Sequence, residues 1–201
     1  MSPPVDGGRW DAGRAHPEVR VLENGTVFQS SGNGFRTCLC KRVMRDNGGY
    51  IARIQVRGIS NFLVGVAMPD VEVGRSGEDR VEFCGRQGWG FYNGARGGVG
   101  DEGCAFYHAD QPIRDSGGEI VRADYAQQGD TLVVKLEYED SESGVEDTGS
   151  AGTLPGTLSF FRQSGAMPLS PIVFRRCIPR GVCFAVTAYH PSVRLHLLGC
   201  V

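Results

Sequence analysis

Two segments with alternating apolar residues, between residues 130 and 162, constrain the fold more than any other feature of the sequence. The first reads DTLVVKLEYED and the second reads GTLSFFR. Apolar side chains at every second position are typical of a half-buried β-strand. Because the interval 140–155 between them is mostly Ser, Gly, Glu and Asp, the sequence predicts an antiparallel hairpin with a large, mobile loop. A two-stranded hairpin is not stable alone in water, so the pair must belong to a larger sheet.

The remainder of the chain supplies strands for such a sheet. Short apolar runs alternate with turn signals, and no segment keeps a helical period for ten residues. Further strands are predicted at residues 19–22, 26–29, 35–43, 50–56, 62–68, 80–84, 89–92, 104–108, 119–123, 172–174, 182–188 and 193–198. The predicted fold class is therefore all-β. We predict one domain over residues 18–201, preceded by a mobile N-terminal tail over residues 1–17.

Charge and cysteine content restrict the classes of function. The net charge of −2 gives no overall attraction to nucleic acid or to a membrane surface, and no apolar run approaches the roughly 20 residues of a membrane helix. The first residues, MSPPVDGGRW, have no apolar core, so no signal peptide is expected. Seven cysteines without an export signal indicate free thiols in a reducing, cytoplasmic compartment.

The glycines at 98, 100 and 103 form a G-x-G-x-x-G pattern. A phosphate-binding loop of this kind needs a strand before it and a helix after it. No helical period follows, and Asp101 and Glu102 would repel a phosphate group. We therefore predict no dinucleotide cofactor.

The cysteines are interpreted as core residues rather than as a metal site or a nucleophile. Those that could in principle ligate zinc are Cys38, Cys40, Cys177 and Cys183. Their C-x-C and C-x5-C spacings differ from the usual pairs of zinc sites, and cysteine is common as a small buried apolar residue. Cys104 and His108 would lie about 13 Å apart along a strand, too far for the imidazole to activate the thiol. The sequence predicts no metal and no catalytic residue.

Trp89 is interpreted as structural rather than as a binding residue. It stands between Gly88 and Gly90, which let neighbouring backbone approach closely, and Phe91 follows on the same face. Truncation of a tryptophan buried in this way should cost much stability.

The order of the motifs resembles the SPRY domain family. Six motifs carry the resemblance: Gly49-Tyr50, FLVGVA at 62–67, GWGF at 88–91, GDTLVVKLEYE at 129–139, GTLSFF at 156–161, and FAV before VRL at 184–195. The resemblance covers roughly residues 19–198. It implies an antiparallel β-sandwich of two bent sheets, of the concanavalin-like jelly-roll type. It also implies a non-catalytic module that binds a partner protein or short peptide, and some members of the family are adaptors for ubiquitin ligases. We also expect the chain to be a monomer.

By the same resemblance, three loops at one edge bind the partner: 30–34, 68–80 and 189–191. The candidate contact residues are Ser31, Asn33, Met68, Pro69, Arg75, Glu78, Arg80, Tyr189 and His190. Tyr189 and His190 offer flat rings with polar tips, and Met68 offers an adaptable apolar contact. The two arginines can pair with carboxylates, whereas Glu78 would discourage acidic partners.

The alternative hypothesis is a basic face that binds RNA or an acidic ligand. Five arginines and no acidic residues lie between Arg162 and the C-terminus, and Arg175, Arg176 and Arg180 could form a stripe. Arginines beside strands are more often solvated, and the chain as a whole is slightly acidic, so nucleic acid is not the expected partner. Steep salt dependence would distinguish phosphate contacts from peptide contacts.

Overall fold

The computed structural model describes residues 8–58, 61–71, 73, 87–94, 103–109, 111–139, 155–163 and 170–201, with backbone alone for 170–173. These residues form fourteen β-strands and one short 3-10 turn at Glu23–Gly25. The strands are β1 (Trp10–Ala15), β2 (Val19–Leu22), β3 (Val27–Ser30), β4 (Arg36–Cys40), β5 (Gly48–Arg57), β6 (Phe62–Ala67), β7 (Gly88–Asn93), β8 (Ala105–His108), β9 (Gln111–Pro112), β10 (Thr131–Tyr138), β11 (Gly156–Arg162), β12 (Ser170–Ile178), β13 (Cys183–Ala188) and β14 (Arg194–Cys200). The predicted all-β class is confirmed.

The strands form two seven-stranded sheets. Sheet A has the order β1-β4-β13-β6-β7-β8-β9, and sheet B has the order β12-β11-β10-β5-β14-β3-β2. Every pairing between these strands is antiparallel. Two antiparallel sheets packed on a shared core are the predicted β-sandwich.

The hairpin predicted between residues 130 and 162 lies inside sheet B. Burial alternates along β10, with every second side chain buried, and Leu136 pairs with Leu158 in β11. On its other edge β10 pairs with β5, where Leu136 is opposite Tyr50. The hairpin is therefore supported by a neighbouring strand, as its own instability requires. The interval 140–154 falls outside the described residues.

The main core lies between the two sheets. Aromatic rings connect them: Phe91 and Phe106 of sheet A lie 5.5 Å apart, and Phe106 lies 5.4 Å from Phe160 of sheet B. All three side chains are fully buried, and each such burial contributes about 1.5–3 kcal/mol to stability. Large apolar side chains near the centre of the sandwich thus fix how the two sheets pack on each other.

A second apolar cluster covers the opposite face of sheet A. Strand β6 shows the division, because Phe62 and Val64 face the main core whereas Leu63 faces the second cluster. Tyr92 and Tyr107 belong to this second cluster. The strand is therefore apolar on both faces, which agrees with its nearly continuous apolar sequence.

Gly65 allows β6 and β7 to approach closely. A Cβ atom at this position would lie 2.1 Å from the carbonyl oxygen of Trp89, so any side chain would push the strands apart. Trp89 itself faces the main core, is 6% exposed, and stacks on His108 with 4.6 Å between ring centroids. This burial agrees with the structural interpretation of Trp89.

Two predicted boundaries differ from the structure. The sequence predicts a mobile tail over residues 1–17, but residues 10–15 form β1, which pairs with β4 through an irregular register. The sequence WDAGRA has no apolar alternation. It is held in the sheet by Trp10, which is 1% exposed in the main core, and by pairing with β4. The strand predicted at 119–123 is instead a connection held by isolated bridges at Ile120 and Arg122. The strand predicted at 80–84 lies outside the described residues.

Candidate partner-binding site

Two of the three predicted loops lie side by side at one end of sheet A. The N–H of Gly34 donates a hydrogen bond to the carbonyl oxygen of Tyr189 at 2.9 Å, and the N–H of Tyr189 donates to Asn61 at 2.9 Å. Gly34 has φ of +105°, a conformation that side chains disfavour. The loop 30–34 and the turn 189–191 therefore form one continuous surface.

Four aromatic rings connect this surface to the second apolar cluster. Tyr189 contacts Phe35 edge-on at 5.2 Å between centroids, Phe35 contacts Tyr92 at 6.2 Å, and Tyr92 contacts Tyr107 at 5.8 Å. Tyr107 and Tyr92 are buried, whereas Tyr189 is 43% exposed. The row thus holds an exposed tyrosine in place by contact with buried neighbours. We call Ser31, Asn33, Phe35, Tyr189 and His190 the Tyr189 surface.

His190 is held by the turn that carries it. The N–H of Ser192 donates to His190 Nδ1 at 3.1 Å, and Ser192 Oγ lies 2.8 Å from the same nitrogen. Because the backbone N–H can only donate, Nδ1 is the acceptor and the neutral ring carries its proton on Nε2. His190 is exposed, so this N–H is placed to donate to a ligand.

The loop 30–34 is fixed by a buried arginine. Arg36, 9% exposed, donates to Glu18 Oε2 at 2.5 Å and to the carbonyl oxygen of Asn33 at 3.1 Å. Ser31 donates to the carbonyl oxygen of Glu18 through its N–H at 2.8 Å and its hydroxyl at 2.6 Å. The paired charges neutralise each other, so the surface presents rings and backbone groups rather than net charge.

Met68 and Pro69 are not brought to this surface. In the register of sheet A, Ala188 is opposite Phe62, whereas Cys183 is opposite Ala67. Tyr189 lies level with Asn61, so Met68, which follows β6 at the other end, is about 24 Å away along the sheet at roughly 3.4 Å per residue. Pro69 lies beside Met68, half-buried. The other three candidates, Arg75, Glu78 and Arg80, lie outside the described residues.

The side chains of Cys104 and His108 hydrogen-bond to separate groups rather than to each other. Cys104 Sγ donates to Asn93 Oδ1 at 3.5 Å, whereas the His108 ring pairs with the carbonyl oxygen of Gly88 at 2.9 Å, at the other end of β8. Within the described ranges, no group of three or more His, Cys, Asp or Glu residues could hold a metal ion. Most of the G-x-G-x-x-G pattern, residues 98–102, lies outside the described residues.

The arginines of the alternative hypothesis are largely engaged in contacts of their own. Arg162 Nε donates to Asp130 Oδ2 at 2.7 Å, and Arg176 donates to Glu139 at 2.7 Å. Arg180 lies over a tyrosine ring, 4.8 Å from its centroid. These contacts neutralise or occupy three of the five guanidinium groups that a basic face would use.

Comparison with known proteins supports the fold. No protein-family model matches the sequence, and no curated protein matches it. The SPRY domain of human HERC1 matches with a TM-score of 0.61 and 17% identity, over 94% of this chain and 97% of that one. The chain has the fold of a SPRY domain. The TRIM65 PSpry domain matches with a TM-score of 0.58 and 14% identity, over 94% of this chain and 87% of that one.

A stonustoxin structure shares the SPRY fold over part of its length. It matches with a TM-score of 0.58 and 15% identity, and the match covers 94% of this chain and 26% of that one. At such identities these likenesses concern the fold. In the described part of the chain, no helix is long and apolar enough to cross a membrane.

The sequence motifs now have structural positions in the SPRY fold. FLVGVA is β6, GWGF begins β7, and GTLSFF begins β11. Sequence reasoning missed the residues that position the site, namely Phe35, Arg36 and Glu18. The signal for Phe35 was an aromatic directly after a glycine-containing loop, but the Glu18–Arg36 pair joins residues far apart in sequence and has no local signature.

Proposed function

We propose that this chain is a non-catalytic protein-interaction module that binds a partner protein or a short peptide through the Tyr189 surface. The observation that carries the proposal is the 43% exposed ring of Tyr189, held edge-on against Phe35 at 5.2 Å. A tyrosine that is already ordered loses little conformational entropy when it binds. Such rings are the residues that most often dominate binding energy at protein interfaces.

The polar groups around Tyr189 suit a peptide backbone. His190 carries an exposed donor at Nε2, and the loop at Ser31 and Asn33 presents backbone groups held by Arg36. A donor and a flat ring side by side match the alternating polar backbone and apolar side chain of an extended peptide. Because the nearby Glu18–Arg36 pair is neutral overall, binding should depend weakly on salt.

Met68 and Pro69, with Arg75, Glu78 and Arg80 in the same predicted loop, form a separate candidate contact. An extended peptide of five or six residues spans about 17–20 Å, which is shorter than the roughly 24 Å between Tyr189 and Met68 along the sheet. A folded partner would contact both regions more readily than a short peptide. Met68→Ala should therefore weaken binding of a folded partner but leave binding of a short peptide unchanged.

The test uses a partner captured with the wild-type chain and identified by mass spectrometry. Tyr189→Ala should lower its affinity at least tenfold, about 1.4 kcal/mol, with an unchanged melting temperature because the ring is half exposed. The matched control is Leu198→Ala, an exposed apolar residue of β14 in sheet B, which should leave affinity unchanged. If Tyr189→Ala binds normally and Arg175→Ala with Arg176→Ala abolishes binding, the basic-face alternative replaces this proposal.

The proposal also includes an adaptor role, a monomeric state and a cytoplasmic location. None of the described cysteines forms a disulfide, which supports a reducing compartment. Light scattering coupled to gel filtration tests the monomer, and recovery of a ubiquitin-ligase subunit together with a second protein would support the adaptor role. A stable dimer at micromolar concentration would contradict the monomer.

A further inference from the structure

Two cysteines from opposite sheets meet at one end of the main core. Cys40 ends β4 of sheet A, Cys200 ends β14 of sheet B, and both side chains face the core. The segment before β1 runs past both, because Trp10 is paired with Cys40 and a Cβ atom on Gly8 would lie 3.1 Å from Cys200 Cβ. The two thiols are in hydrogen-bond contact. We propose that Cys40 and Cys200 are a dithiol pair that oxidises to a disulfide and covalently joins the two sheets.

The surroundings of the pair favour a thiolate. Besides the contact between the two thiols, backbone hydrogen bonds at Arg42, Arg9 and Lys41 lower the pKa of Cys40, and the charge of Arg42 partly offsets the raised pKa of Cys200. The hydrogen bond from Cys200 lowers the pKa of the Cys40 thiol to about 7. The same contact, together with burial, raises the pKa of Cys200. One proton is thus shared between two sulfurs, and the pair can lose the other near neutral pH.

The oxidant we assign is a small-molecule disulfide of the glutathione type. Cys200 is 7% exposed and Cys40 is fully buried, so the Cys200 sulfur is the one that reaches the oxidant and attacks it first. Its proton passes along the hydrogen bond to Cys40, and its thiolate displaces one thiol from the oxidant to give a mixed disulfide. The Cys40 sulfur then gives up its proton and attacks the Cys200 sulfur, releasing the second thiol. Two protein thiols are oxidised to one disulfide, and one small disulfide is reduced to two thiols.

The other described cysteines lack this arrangement. Cys38 donates to the carbonyl oxygen of Asp11 at 3.7 Å, and burial raises the pKa of its thiol. Cys104 donates to Asn93, and burial raises its pKa as well. Cys183 lies in the second apolar cluster, on the opposite face of sheet A. Cys177 is exposed. The selective product is therefore the Cys40–Cys200 disulfide.

The cross-link should stabilise the fold strongly. It closes a loop of about 160 residues, and long loops lose the most entropy in the unfolded chain. We expect oxidation to raise the melting temperature by about 5 °C or more.

The experiment treats the full chain, in a Cys84→Ser, Cys177→Ser background, with oxidised glutathione at neutral pH. The expected result is loss of two hydrogens by intact mass, a peptide map that joins Cys40 to Cys200, and a higher melting temperature that dithiothreitol reverses. Cys200→Ser should lose both the cross-link and the temperature shift. Cys38→Ser, the matched control in the same strand as Cys40, should keep both.

Three results would overturn the proposal. The first is a map that joins Cys40 or Cys200 to another cysteine. The second is glutathione that remains on Cys200 without forming the cross-link. The third is no modification at all at millimolar oxidant, with both thiols still titratable after unfolding. If Cys38→Ser fails to fold, Cys104→Ser provides the same control on another strand.

Discussion

Truncation of Trp89 to alanine should destabilise the SPRY fold by about 3–5 kcal/mol, the range for large-to-small changes of buried tryptophan. The ring is 6% exposed, faces the main core and stacks on His108 at an interplanar angle of 10°. A buried tryptophan removes about 150–250 Å² from water, which at about 25 cal/mol per Å² corresponds to about 4–6 kcal/mol. That value is an upper bound because the unfolded chain also buries apolar surface. The mutational range and the buried-area value both give a loss that is a large part of a domain's total stability.

Urea unfolding followed by far-ultraviolet circular dichroism measures this loss directly. Trp89→Phe should recover part of it, because a phenyl ring can still stack on His108. Leu198→Ala, which truncates an exposed apolar residue, should change the free energy of unfolding by less than about 0.5 kcal/mol. Unchanged stability of Trp89→Ala together with lost partner binding would make Trp89 a binding residue and refute the reasoning.

Three further changes test how the sandwich is held together. Gly65→Ala should lower the free energy of unfolding by at least about 2 kcal/mol, because its Cβ would lie 2.1 Å from a carbonyl oxygen of β7. The control Gly199→Ala, with no atom within 4 Å of its Cβ, should not lower it. Equal melting temperatures of the two variants would contradict this. Arg162→Met should cost about 2–4 kcal/mol because it leaves the carboxylate of Asp130, 9% exposed, without its cation, and adding Asp130→Asn should restore most of the loss in a double-mutant cycle. Replacing residues 141–155 with an Asn-Gly turn should leave the melting temperature nearly unchanged, and a large decrease would show that this interval packs on the sandwich.

Much of the fold could be predicted because its strands have strong local patterns. The period of two in β10 and the double-sided apolar run of β6 identified their strands and their burial. Strand β1 could not be found in this way, because its residues do not alternate and its place depends on pairing with β4. Trp10 was its one local signal, and a single tryptophan in a Gly-rich segment predicts no regular structure.

The site could be predicted only in part. Neighbouring loops were correctly expected at 30–34 and 189–191, and a hydrogen bond from Gly34 to Tyr189 joins them. The sequence could not show that Met68 follows β6 at the opposite end, because this depends on the register between β6 and β13. Register is set by the whole sheet rather than by local residues. The same limit applies to the row of four rings, because Tyr92 and Tyr107 come from strands β7 and β8 whereas Phe35 and Tyr189 come from separate loops.

Hydrogen exchange of the chain with and without its captured partner is the most direct test of the proposed binding site. On binding, slower amide exchange should appear in residues 31–36 and 189–193, which surround the exposed ring of Tyr189. Residues of sheet B near Leu198 should exchange as in the free protein. Slower exchange confined to residues 174–180, with none around Tyr189, would contradict the account and place the partner on the arginine-rich strand β12.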